Sequence, residues 1–297
     1  MAANGAPAQN RPVVGALWML GAVASFASMQ IAGRELSGAH DAIAIMQYRS
    51  IIGVFLILPI ALAFGGVRNI VTARPVGHAI RNAVHFVGQY GWFFGVAHLA
   101  LAEVTALTSM MPIFGVALAV TFLGERLTRP RMAVIFCGFI GVLIVVRPGL
   151  VPLEVATGVT ILGALCYAIS VVMVKALTAT EPPLRIVFYM MAIQSIFALL
   201  LAGGRVDIPT LPEAPWLVVV GISGLTAHYC MARAVTVADA SVVMPISFLQ
   251  LPTMATVGFL AYGESLDPFT LGGGALILCA TYLNVIWSRR RTSARAA

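Results

Sequence analysis

The sequence predicts an all-α membrane protein with ten transmembrane helices in two inverted five-helix repeats. Three observations lead to this fold class. Of 297 residues, 60% are hydrophobic and only 10% are charged, apolar runs of membrane-spanning length follow one another along the whole chain, and the second half resembles the first. Soluble globular domains carry about 25% charged residues, so a soluble fold is excluded.

Each apolar run approaches the roughly 20 residues that a helix needs to cross the hydrocarbon core. Polar residues, glycines or prolines separate the runs, and the connections are too short to hold a soluble domain. The first run lacks the basic start and the cleavage site of a signal peptide, so we expect it to be retained. The predicted spans are 13–33, 42–64, 79–98, 102–122, 131–147, 156–177, 184–202, 216–235, 240–261 and 268–287.

The basic residues predict how these helices are oriented. Cytoplasmic loops of membrane proteins are enriched in Lys and Arg. With a cytoplasmic N-terminus, 14 of the 18 Lys and Arg fall inside, Arg49 lies within a helix, and only Arg34, Arg147 and Arg205 fall outside. Both termini are therefore expected in the cytoplasm, and the net charge of +7 indicates a membrane surface rather than nucleic acid as partner.

The two halves share a sequence pattern. Segments 106–130 and 246–268 each contain a proline early in a helix, a Gly-Glu pair at its end and a proline that opens the next helix. More weakly, segment 20–26 resembles segment 162–168. Because each half holds an odd number of helices, the second half is inverted in the membrane, which is the symmetry of alternating access. The expected organisation is a cytoplasmic tail at 1–12, a first repeat at 13–149, a second repeat at 150–287 and a basic cytoplasmic tail at 288–297.

Three motifs give the chain a family resemblance. Segments Pro112–Leu127, Gly138–Gly149 and Pro252–Leu266 resemble the EamA-type branch of the drug/metabolite transporter superfamily, and the resemblance covers nearly the whole chain. It implies a secondary transporter of a small organic metabolite in the bacterial inner membrane. Segment Thr72–Leu101 is similar to members proposed to take up S-adenosylmethionine or riboflavin, which makes uptake of a flat heteroaromatic vitamin or nucleoside-like compound the leading expectation. The alternatives are export of amino acids or drug-like compounds, and a non-transporting structural or regulatory membrane subunit.

The sequence carries no sign of catalysis. It lacks a nucleophile elbow, a Walker loop and a zinc-protease motif, so we expect neither an enzyme nor a cofactor. The four cysteines lie singly inside apolar runs without metal-ligand spacing, so neither a metal site nor a disulfide is expected. The expected partners are a small-molecule substrate and the lipid bilayer, with a proton as candidate coupling ion and a homodimer as candidate assembly.

The third predicted helix carries a polar stripe. Arg81, His85, Gln89 and Trp92 follow one another at spacings of four, four and three residues, which places them on one helical face. Imidazole, amide and aromatic groups suit a flat heteroaromatic ligand. In the alternative interpretation Arg81 extends to the cytoplasmic headgroups, His85 bonds a neighbouring helix and the aromatic residues are packing or interface residues.

Arg49 is the one arginine that falls inside a predicted span. Its guanidinium could bind a substrate carboxylate or phosphate, reach the outer headgroups, or pair with Glu103 across the bundle. The neighbouring Gln47 and Tyr48 are candidates for the same cavity, although adjacent helical residues cannot all face one way.

Two carboxylates, Glu103 and Asp239, occupy matching places before the proline-containing helices of the two repeats. Each is favoured at a helix N-terminus by the macrodipole, and each is also a candidate for proton coupling, since carboxylates in membranes often serve as proton relays. Glu125, at the end of a helix and four residues before Arg129, is expected to be structural.

Prolines interrupt the fourth and ninth predicted helices near their middles, at Pro112, Pro245 and Pro252. Paired interruptions in corresponding helices point to a central binding site. Within a turn of these prolines lie the candidate ligand-binding residues Thr108, Ser109, Ser247 and Gln250. Further candidates in the second repeat are Tyr167, Ser170, Tyr189, Gln194, His228 and Tyr229, while Lys175 and Arg233 are expected to anchor the cytoplasmic ends.

Overall fold

Helices build the described part of the chain, and no β-strand occurs within it. The computed structural model describes residues 11–64, 66, 70–122, 129–147, 154–177, 180–206, 209–238, 244–280 and 282. The helices are α1 (Pro12–Leu36), α2 (Ala42–Ala63), α3 (Pro75–His98), α4 (Leu101–Thr108), α5 (Met111–Phe122), α6 (Arg129–Val146), α7 (Val155–Leu177), α8 (Pro183–Leu201), α9 (Ala214–Val237), α10 (Gln250–Tyr262) and α11 (Pro268–Ala280), with a 3₁₀ segment at Met244–Leu249 before α10.

Five helices are long and apolar enough to cross a membrane: α1, α2, α7, α8 and α9. The apolar parts of α4, α6 and α11 are shorter. Helix α3 has sufficient length, but the His, Arg, Asn and Gln side chains on its buried face lower its hydropathy. Ten membrane crossings therefore remain a prediction.

The interruption expected at Pro112 is confirmed. The fourth predicted span divides into α4 and α5, with the break at Ser109 and Met110, directly before Pro112. The hydroxyl of Thr108 donates to the carbonyl of Val104 at 2.8 Å, so the broken end of α4 is partly satisfied by its own side chains. In the second half the 3₁₀ segment containing Pro245 passes into α10 two residues before Pro252.

Helix pairing follows the symmetry of the two halves. The most extensive pairings join α1 to α9 and α3 to α7, so the first helix of each half packs on the third crossing of the other half. The second crossings, α2 and α8, pack on each other. At the α3–α7 contact the backbones come close because Gly91 has no side chain: a Cβ there would lie 2.5 Å from the carbonyl oxygen of Val159. The core thus lies between the halves.

One end of the bundle is held by a network around Glu264, and we call it the Glu264 end. The Glu264 carboxylate lies 3.2 Å from the Arg34 guanidinium and accepts a 2.9 Å hydrogen bond from the backbone N–H of Leu101, which opens α4. Arg34 also donates to the carbonyl of Leu99. At the same end Arg147 pairs with Asp267 at 3.0 Å. Two of the three arginines predicted outside therefore pair with acidic residues of one connection, between α10 and α11.

The repeated Gly-Glu pair has a structural explanation in the second half. Gly263 adopts a left-handed backbone conformation, with φ of 64°, which residues other than glycine rarely adopt. It ends α10 and turns the chain so that Glu264 lies against Gly258, where a Cβ would be 2.3 Å from the carboxylate oxygen. The corresponding Glu125 lies outside the described residues.

The opposite end is held around Glu181, and we call it the Glu181 end. Glu181 accepts hydrogen bonds from Thr72, before α3, and from Arg185, in α8, each at 2.6 Å. Helix α1 ends at the Glu264 end, whereas α7 begins there, where Thr157 lies 3.5 Å from Glu103 in α4. The first helices of the two halves therefore run in opposite directions.

Candidate functional site

Polar and aromatic side chains from five helices meet inside the bundle, and we call them the central cluster. All are residues that the sequence singled out. Its members are Arg49 of α2, His85 and Gln89 of α3, Tyr167 of α7, Gln194 of α8 and His228 of α9.

Arg49 is the charged member of the central cluster. Its side chain is 1% exposed, and one terminal nitrogen donates to the Oε1 atoms of Gln89 and Gln194, at 3.1 and 3.3 Å. It neither reaches the outer headgroups nor pairs with Glu103, because this face of α2 packs against α8 and α9. These two roles of Arg49 are thereby excluded, and binding of a substrate anion stays a prediction.

The guanidinium of Arg49 lies against α9 at Gly224. A Cβ at Gly224 would lie 2.4 Å from its Nε atom, so only glycine fits this position without moving the arginine. Among the described residues no carboxylate forms an ion pair with Arg49, and its Nε–H has no hydrogen-bond partner there.

Gln194 connects Arg49 to His85. Its Nε2 atom lies 2.6 Å from Nδ1 of His85. An arginine can only donate, so the Gln194 oxygen faces Arg49 and its NH₂ group donates to His85. Nδ1 of His85 is therefore the acceptor, and a neutral ring carries its proton on Nε2.

Aromatic rings surround His85. Its ring is edge-on to Tyr167, with centroids 5.1 Å apart, and to His228, at 5.7 Å. The His228 ring in turn lies 5.5 Å from Phe26 of α1. The arrangement brings one positive charge, amide groups and ring edges together, and Tyr167 and His228 are only partly buried. These groups suit an electron-rich or acidic heteroaromatic ligand.

The α3 stripe is a buried face, as the spacing predicts, but only its two middle residues, His85 and Gln89, belong to the central cluster. Arg81 is 5% exposed and donates to Oδ1 of Asn82 at 2.8 Å, so the interpretation in which it extends to the headgroups is wrong. Trp92 lies in the hydrophobic core, edge-on to Phe93 with centroids 4.9 Å apart. The expectation that His85 bonds a neighbouring helix is confirmed.

Several predicted site residues lie outside the central cluster. Gln47 donates to the carbonyl of Arg205 at 2.9 Å, and Tyr48 is edge-on to His40, both toward the Glu264 end. Tyr189 stacks on His78 with centroids 4.5 Å apart and donates to the carbonyl of Ile70, toward the Glu181 end.

The remaining predicted site residues, most of them near the prolines, do not join the central cluster. The hydroxyls of Thr108 and Ser109 donate to carbonyls of their own helix. Ser247 and Gln250 are half-buried. Ser170 is buried, and its hydroxyl has no partner in the described part of the chain.

The site candidate Tyr229 and the expected anchor Arg233 lie together at the side of Trp18, outside the central cluster. Tyr229 is 43% exposed and edge-on to Trp18. Arg233 lies over the same Trp18 ring at 5.7 Å, as a membrane-end anchor would. The side chain of Lys175 lies outside the described residues.

Of the two coupling candidates, Glu103 lies in the first turn of α4, where the helix dipole favours a carboxylate. Asp239 lies outside the described residues. A role for either in coupling stays a prediction.

Sequence reasoning missed several buried polar residues, and two of them, His78 and Asn82, lie on α3. His78 is 0% exposed and Asn82 donates to its carbonyl at 2.7 Å. The spacing could have found His78, because it extends the α3 stripe by one turn before Arg81. A surface groove of about 400 Å³ lies nearby, between the start of α3 and the end of α7, lined by Arg74, Val76, Met173 and Leu177 among others. None of the predicted site residues lines it.

Comparisons with known proteins agree with this architecture. The EamA-like transporter family matches residues 13–147 and 156–286. The S-adenosylmethionine uptake transporter of Rickettsia bellii is 24% identical, over 95% of this chain and 96% of its own length. The riboflavin transporter of Brucella anthropi is 31% identical, over 89% of this chain and 95% of its own.

A protein of known crystal structure shares the fold. It superposes with a TM-score of 0.64 at 19% identity, and the alignment covers 93% of this chain and 98% of that one. At this identity the likeness concerns the fold alone.

Proposed function

This chain belongs to the EamA-like transporter family, and from that premise we propose that it takes up a flat heteroaromatic metabolite across the bacterial inner membrane. The proposed substrate class is that of riboflavin and S-adenosylmethionine, the compounds named for the two relatives. Both termini lie in the cytoplasm in this proposal, with residues 13–149 and 150–287 as the two repeats.

The central cluster is the observation that carries the proposal. Arg49 and Gln89 come from the first half of the chain, while Gln194 and Tyr167 come from the second. Secondary transporters built from inverted repeats bind their substrates near the midplane at the contact between repeats. Buried polar groups at membrane depth are costly and mark such sites.

The two ends of the bundle supply the elements that alternating access requires. An ion pair joins α1 to the α10–α11 connection at the Glu264 end, and a hydrogen bond from Thr72 to Glu181 joins the loop before α3 to the start of α8 at the Glu181 end. In the proposed cycle one network breaks while the other persists, so that the cluster opens to one side at a time. The halves rock about the pairing of α2 with α8.

The test combines binding with flux. The purified protein is heated with riboflavin, S-adenosylmethionine, nucleosides or amino acids, because a ligand of the folded state raises apparent stability by RT ln(1 + [L]/Kd). Uptake of each compound that stabilises the protein is then measured in proteoliposomes, with and without a pH gradient. We expect a heteroaromatic compound to stabilise the protein and to accumulate.

A matched pair of variants links flux to the cluster. His85→Ala removes the partner of Gln194 and is expected to lower uptake at least tenfold, the cost of about 1.4 kcal/mol. His98→Ala, at the exposed end of the same helix, is the control and should transport normally. Binding confined to amino acids would favour export, and a folded protein without flux would favour a structural or regulatory subunit.

A further inference from the structure

We propose that the transported compound carries a carboxylate or phosphate group, and that Arg49 binds this group. The inference rests on the proposed function, because it takes the central cluster as the substrate site. It narrows the substrate class from heteroaromatic compounds in general to heteroaromatic acids.

The charges inside the bundle give the first argument. Arg49 and Arg81 are both buried, and no described carboxylate forms an ion pair with either of them. The nearest candidates are bonded elsewhere: Glu103 lies by Thr157, and Glu181 binds Arg185. Neutral amides compensate a buried guanidinium only in part, and a buried charge without a counter-ion is strongly destabilising. An acidic ligand supplies the missing charge when it binds.

The hydrogen bonds of Arg49 give the second argument. One terminal nitrogen serves Gln89 and Gln194, while the buried Nε–H has no partner among the described residues. Guanidinium groups bind carboxylate and phosphate through two parallel N–H bonds. An acid at Arg49 would satisfy the orphaned donor, which a neutral ring alone would do less well.

The two glutamines orient this donor group. Their amide oxygens come from α3 and α8, on opposite halves of the chain, so Arg49 keeps its position only while the halves are together. Gly224 leaves room for the Arg49 side chain on α9, since a side chain at this position would collide with Nε. The arginine is held for binding rather than buried by chance.

The experiment uses pairs of compounds that differ only in the acid. Riboflavin 5′-phosphate is compared with riboflavin, and S-adenosylmethionine with its decarboxylated derivative, by binding to the purified full chain. Charge-assisted hydrogen bonds predict that the acidic member of at least one pair binds the wild type ten- to a hundredfold more tightly, roughly the effect of 1.5–3 kcal/mol.

Three variants test the assignment to Arg49. Arg49→Gln should abolish the preference for the acid, weakening binding of the acid at least tenfold more than binding of the neutral partner. Gly224→Ala should weaken the preference as well, although it keeps the charge, because it moves the guanidinium. Arg205→Gln removes an exposed arginine and should preserve the preference.

Some outcomes would overturn the inference. Equal binding of acid and neutral partner by the wild type would do so, and so would an Arg49→Gln variant that loses both partners alike while remaining folded in gel filtration. Benzoate against benzyl alcohol gives a probe that does not depend on the heteroaromatic body. If none of the four larger compounds binds but benzoate stabilises the wild type and not Arg49→Gln, the inference that Arg49 binds an acid is supported and the proposal of a heteroaromatic substrate is contradicted. If none of the four binds and the wild type does not prefer benzoate to benzyl alcohol, the inference about Arg49 is contradicted as well.

Discussion

A single carboxylate joins a loop to a helix at the Glu181 end. Glu181 is buried and accepts hydrogen bonds from Thr72 and Arg185. Burial alone would raise the pKa of Glu181, but the two hydrogen bonds and the charge of Arg185 outweigh it, so that the pKa lies below its usual value of 4.5. A lowered pKa means that the ionised carboxylate stabilises the folded state.

Glu181→Gln is therefore expected to lower stability at neutral pH and not in acid. The stabilisation is fully present above the usual pKa and is lost as pH falls through the lower pKa of the folded state. We expect a loss of up to about 1 kcal/mol at pH 7, measured by thermal unfolding in detergent. Glu154→Gln, at an exposed position directly before α7, is the control. A difference between Glu181→Gln and wild type that does not shrink as pH falls below 4.5 would contradict the linkage.

At the scale of the helices, sequence patterns predict what a helix determines by itself. Pro112 marks the break between α4 and α5 because proline lacks the N–H that the helix needs, and the spacing of His85 and Gln89 places them on one buried face. The partners of that face do not follow from α3 alone. Gln194 meets His85 because α8 packs on α2 and α3, a contact between residues 109 positions apart, which no local pattern encodes.

The close contact of α3 with α7 is expected to be intolerant of side chains. Gly91→Ala places a methyl group 2.5 Å from the carbonyl oxygen of Val159, and such overpacking against backbone costs about 1–3 kcal/mol. Gly158→Ala, in α7 and with open space at the Cβ position, should instead stabilise by about 0.5–1 kcal/mol through better helix propensity. Thermal unfolding of both variants measures the contrast, and two shifts of the same sign would contradict this packing.

At the scale of the whole molecule, the two ends differ in how they are held. The Glu264 end joins α1, the start of α4 and the chain after α10 through one carboxylate, whereas the Glu181 end joins the loop before α3 to α8. The repeated Gly-Glu pair is visible in the sequence, but its structural role is not. Glu264 accepts a hydrogen bond from the backbone N–H of Leu101, and no sequence motif encodes this contact between distant residues.

Glu264→Gln is expected to open the Glu264 end more often. The amide can still accept from Leu101, but it loses the charge that holds Arg34. Labelling by a membrane-impermeant maleimide reports this opening at Thr105→Cys, a position buried beneath the network, in a chain whose 4 native cysteines are replaced by alanine. Loss of an ion pair predicts labelling up to about fivefold faster, while Glu154→Gln should leave the rate unchanged. An unchanged rate in Glu264→Gln would mean that the ion pair does not hold this end closed.

The hydrogen bonds of Arg49 also bear on how the protein is made. Gln89 follows Arg49 by 40 residues and Gln194 follows it by 145. Ribosomes add about 5–20 residues per second, so a newly inserted α2 waits roughly 2–8 s for its first acceptor and 7–30 s for its second. During that time an arginine lies in a half-built bundle at a cost of about 2.5–3.5 kcal/mol. We expect the insertion machinery to shelter α2 until α3 emerges, and the completed site to form only after α8 has left the ribosome.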